Sequence, residues 1–133
     1  MIGSIFFLLI NILGGINCDE ITKLEIIYVP CLGNYEIVIN SENIKEVGGV
    51  KVIVITDEDD LKYFEKILKS VKKTNINEER IFDARICINI FYRKTQTSIL
   101  MDINKNIMID SVRFDSSSSL NEFIFSRVNT KCL

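Results

Sequence analysis

The sequence predicts an α+β domain: a mostly antiparallel sheet of about six strands in the order β-β-β-α-β-β-β-α, with two helices packed on one face. Three observations lead there. Short runs rich in β-branched and aromatic residues recur along the chain, several with an alternating apolar pattern. Two segments instead carry apolar residues at helical spacing behind a capping residue. The helical segments are few and fall after runs of strands, so a regular strand–helix alternation with a parallel sheet is not expected.

The strands read as follows. Residues 23–29 (KLEIIYV) form the first, broken by Pro30 and Gly33. Residues 35–39 (YEIVI) read as a second, with Tyr35, Ile37 and Ile39 on one face. A polar stretch ends in the Gly48-Gly49 turn, and residues 50–55 (VKVIVI) follow, apolar at nearly every position as in a covered strand. Residues 85–93 (RICINIFYR) and 97–103 (TSILMDI) are two more, and residues 106–114 make the last strand or two. Asn104-Lys105 suits a tight turn because Asn tolerates a positive φ. These last runs form an antiparallel meander.

The first helix is predicted to start behind Thr56, with Asp59 in a capping-box position. Asp57, Glu58, Asp59 and Asp60 crowd its first turn, and Lys69, Lys72 and Lys73 its last turns, each the sign that the helix dipole favours. Leu61, Phe64, Ile67, Leu68 and Val71 form its apolar stripe. A shorter final helix is predicted behind Ser119, with Leu120, Phe123, Ile124 and Val128 on its buried side.

The chain start reads differently. No charged side chain precedes Asp19, and residues 5–13 are apolar apart from Asn11. That run is short of the roughly 20 apolar residues a membrane-spanning helix needs. Residues 1–18 therefore read as a signal peptide or lipoprotein leader, followed by a single domain over 19–133. Cys18 is the lipidation candidate, although Gly15 and Asn17 depart from the usual lipobox; ordinary cleavage near residues 15–18 is the other reading. The expected location is the periplasm or cell envelope, with membrane attachment only through a leader or lipid anchor. Export favours disulfides, and Cys31 with Cys132 is the best candidate pair, one in a loop and one near the C-terminus. Cys87, inside a strand pattern, reads as a buried thiol.

Composition narrows the chemistry. A hydrophobic fraction of 47% and a charged fraction of 26% fit a folded domain. The chain has no His, which removes the usual general base and the commonest metal ligand. No catalytic residue, cofactor site or metal site is assigned. The acidic run 57–60 lacks the alternating spacing and Gly of a calcium loop. Lys62, Lys66, Lys69 and Lys73 line one helix side, as a solvated face does. A net charge of −2 and the lack of a nucleic-acid module argue against a nucleic-acid partner. Arg85, Tyr92, Arg93 and Lys94 cluster on or beside one strand and are the partner-binding candidates, Tyr and Arg being favoured interface anchors.

The stretch from Asp83 to Tyr92 (DARICINIFY), with Ile99-Leu-Met-Asp102 and Ile107-Met-Ile-Asp-Ser111, resembles the C-terminal half of small uncharacterised exported proteins of Bacteroidota-type bacteria, some of which are suspected immunity proteins for secreted toxins. Relatives of that kind carry a Gly where this chain has Asn104-Lys105-Asn106. The resemblance implies protein binding and carries over no functional residue. The functional expectation is an exported envelope protein that binds another protein, as an immunity protein or inhibitor. A structural envelope lipoprotein and a small hydrolase are the alternatives.

Overall fold

The computed structural model describes residues 20–29, 35, 37–74 and 81–128. Within them run β1 (Ile21–Tyr28), a single 3-10 turn (Ile44–Glu46), β2 (Lys51–Ile55), α1 (Glu58–Leu68), β3 (Lys72–Lys73), β4 (Ala84–Tyr92), β5 (Gln96–Asp102), β6 (Asn106–Ile109), β7 (Val112–Asp115) and α2 (Ser118–Phe125). The strands form one seven-stranded antiparallel sheet in the order β2-β1-β4-β5-β6-β7-β3. The fold is α+β, as predicted.

The pleat sorts the side chains between two faces. Leu24 and Ile26 on β1 face Ile90 and Ile88 on β4, and Ile88 in turn faces Ile99 on β5. These residues, with Met101, Ile107 and Phe114, make one wall of the main core. Leu61, Phe64, Ile67 and Leu68 of α1 and Leu120, Phe123 and Ile124 of α2 make the other, so both helices lie on one face. Phe64 and Phe123 meet with ring centroids 5.3 Å apart at 49°, a tilted contact that joins the helices. Arg127 tightens this junction: its guanidinium lies 3.9 Å over the Phe123 ring and 3.2 Å from the Asp60 carboxylate.

Five predicted details are corrected. The predicted strand over 35–39 is not found at its described residues, 35 and 37–39: Ile37 and Val38 are exposed, and only Ile39 of those three is buried. The chain turns instead, because Asn40 Oδ1 accepts from the amides of Glu42 and Asn43 while Asn43 Oδ1 accepts from the amide of Asn40. The α1 cap is Asp57, whose carboxylate accepts from the Asp60 amide at 3.0 Å, and the α2 cap is Ser117, whose hydroxyl accepts from the Leu120 amide at 3.1 Å. The left-handed residue between β5 and β6 is Lys105 (φ 66°) rather than Asn104; Asp102 Oδ1 accepts from the Asn104 and Asn106 amides and holds the turn. Finally, Val71 and Val128 lie beyond the ends of the helices to which the pattern assigned them, yet both pack on the core.

Candidate protein-binding surface

The sheet face opposite the helices carries Lys23, Glu25 and Ile27 from β1, Arg85, Cys87, Asn89 and Phe91 from β4, and Gln96, Ser98 and Leu100 from β5. Register arranges them in rows across the strands: Ile27–Cys87–Leu100, Glu25–Asn89–Ser98 and Lys23–Phe91–Gln96.

The first row is covered. Ile27, Val29 and Cys87 form a second, smaller core with Ile39 and Ile44 from the 37–50 segment, flanked by Tyr35, Val47, Val50 and Leu100. The segment is tied down at Ile39, whose amide donates to Asp83 Oδ1 at 2.9 Å and whose carbonyl accepts from the Ala84 amide at 2.8 Å. Burial pushes the Cys87 thiol up to about 11, so it sits there as a neutral apolar group.

The second row is a polar network. Asn89 is 8% exposed; its Nδ2 donates to Glu25 Oε1 at 3.1 Å, and its Oδ1 accepts from Ser98 Oγ at 2.6 Å. Lys45 Nζ lies 3.4 Å from Glu25 Oε1 and ties the covering segment to this row. The buried amide is thus satisfied on both sides, which makes the row a rigid floor.

The third row is uncovered among the described residues. Lys23 Nζ sits 4.2 Å over the Phe91 ring. The turn that follows closes with the Tyr92 amide donating to the Thr95 carbonyl at 2.8 Å and presents Arg93 and Lys94 to solvent. Beside Gln96 and Ser98 an open groove of about 490 Å³ runs past Leu100 and Met108 to Ser41, Asp110 and Ser111. Among the described residues that line it, Asp110 is the one ionisable side chain.

The predicted anchors separate on this frame. Arg85 is not a surface residue: it is 3% exposed, pairs with Asp83, donates from Nη1 to the Ala84 carbonyl at 2.9 Å and lies over Tyr35 at 5.3 Å. Tyr92 pairs with Ile21 on the helix side and packs against the main core. Arg93 and Lys94 are exposed beside the Lys23–Phe91 pair. Lys23 and Gln96 belong to the same surface and escaped the sequence reading, because only strand register brings β1 and β5 alongside β4. Cys18, Cys31 and Cys132 lie outside the described residues.

Among the described residues, no three acidic or cysteine side chains are grouped as metal ligands, and no helix is long and apolar enough to cross a membrane. Comparisons with protein-family models, with curated proteins and with solved structures each returned no match.

Proposed function

We propose that this is a small exported envelope protein that acts by binding another protein, as an immunity factor or inhibitor does, and that its contact surface is the uncovered end of the sheet face opposite the helices. The observation that carries this reading is the juxtaposition of Lys23, Phe91 and Gln96 with the Arg93-Lys94 turn. An aromatic ring held under a cation, on a floor of satisfied hydrogen bonds, supplies apolar contact area with little ordering still to be done. Three cations at this end favour a partner with an acidic patch, and such complementarity raises the encounter rate and selects the partner.

Affinity capture from an envelope extract tests the reading. A stoichiometric protein partner supports it, and recovery of nothing above background counts against it. Intact-mass measurement of the mature protein tests the export part. A mass lacking residues 1–17 or 1–18, with or without added acyl groups at Cys18, is the expected result, and a full-length cytoplasmic product contradicts it. Loss of a pair of hydrogens on the same species would report the Cys31–Cys132 disulfide.

A further inference from the structure

The two edges of the sheet are built in opposite ways. At one edge β3 is only Lys72 and Lys73, both exposed, a short cationic strand of the kind that discourages strand addition. At the other, among the described residues β2 pairs with β1 on one side only, and after Lys51 it reads Val52-Ile53-Val54-Ile55 without a charge, proline or bulge. Val52 is 49% and Val54 54% exposed. An unguarded edge of this kind presents free backbone donors and acceptors to another strand.

We infer that the β2 edge is a self-association site, at which two copies of this chain pair β2 antiparallel about a two-fold axis and extend the sheet across both. With Ile53 on the axis, Val52 of one copy lies opposite the partner's Val54, and Ile53 opposite the partner's Ile53. Every apolar residue then meets an apolar residue except at the ends, where Lys51 lies opposite the partner's Ile55. That end is the telling one. Lys51 is on the helix-bearing face, opposite Tyr28, and is exposed. Antiparallel pairing carries it toward the start of the partner's α1 on that same face, where Asp57, Glu58 and Asp59 follow the strand after Thr56. The edge is therefore self-complementary in shape and in charge, as a two-fold interface requires. A pair of five-residue strands is small beside the roughly 1,200–2,000 Å² of a stable complex, so the dimer is weak and reversible.

The test is sedimentation velocity of the full chain over a wide concentration range, with hydrogen exchange at its two ends. The expected result is a concentration-dependent dimer whose formation slows amide exchange within residues 51–55. Val54→Lys raises the dissociation constant at least about tenfold without altering the thermal melt of the monomer. Lys51→Glu also weakens the dimer, and less so in high salt. A protein that stays monomeric throughout overturns the inference. So does a Val54→Lys variant that dimerises as well as the parent, since association would then use another surface.

Discussion

Arg85 and Asp83, two residues apart, form a bidentate ion pair: Nη1 lies 2.8 Å from Oδ1 and Nη2 3.0 Å from Oδ2. The guanidinium is buried, whereas the carboxylate is partly exposed, and the same Oδ1 accepts the Ile39 amide. One carboxylate thus balances a buried charge and anchors the segment that covers the smaller core. Asp83→Ala is expected to destabilise the fold by about 1–3 kcal/mol, the low end reflecting water's access to the carboxylate. Chemical denaturation measures it. The hydrogen bond from Arg85 holds the Asp83 carboxyl below its ordinary range. An acid whose folded-state pKa is depressed stabilises fully above its unfolded value, near pH 4, and the contribution disappears as pH falls through the folded value. The parent should lose stability over that acidic window, and Asp83→Ala should lose less of it.

Cys87 gives the opposite sign. Its folded-state pKa of about 11 lies above that of a free thiol, so its contribution is complete below the free-thiol value and is lost as pH rises toward 11. Buried and protonated, it should resist alkylation at neutral pH in the native protein and react readily in denaturant. Mass spectrometry of the peptide containing Cys87 distinguishes the two.

The β6–β7 hairpin is closed by Asp110 (φ 49°) and Ser111 (φ 65°), a two-residue loop that needs positive φ at both positions. Serine is a poor choice for the second of these, where glycine costs no strain. Ser111→Gly should raise stability by about 0.5–1 kcal/mol, visible as a higher melting temperature. An unchanged or lower melting temperature would show that the loop adopts another form.

Asn89 links three strands through Glu25 and Ser98. Asn89→Ala strands both partners in a half-buried row, and a loss of about 1–3 kcal/mol is expected. Ser98→Ala removes one bond only and should cost less. Thermal melts of the two variants check the order.

Much of this fold was legible because local signals agreed with the tertiary demand. Leu61, Phe64, Ile67 and Leu68 are buried as their spacing requires, and the acidic start of α1 is capped from within the same acidic run, one residue later than expected. The misread segment shows the limit. Residues 35–39 alternate like a strand, but an apolar alternation states only that one side is to be covered; the Asn40–Asn43 hydrogen bonds turn the chain so that Ile39 and Ile44 cap the sheet instead of joining it. Strand β3 was missed because two lysines carry no pattern, and their pairing with Phe114 and Asp115 follows from where the chain returns. For the candidate surface, residue type suggested Arg85, Tyr92, Arg93 and Lys94 equally. Strand parity and burial separate them: Tyr92 falls on the helix side and Arg85 is buried against Asp83 and Tyr35, while Arg93 and Lys94 lie in the exposed turn.

The most direct test of the binding surface is the affinity of the captured partner for the parent, for an Arg93→Glu/Lys94→Glu variant and for a Lys66→Glu control on α1. The expected result is at least about a tenfold loss of affinity for the double variant, mostly in the association rate and largest at low salt, with the control unchanged. Equal binding by the parent and the double variant would contradict the proposed surface.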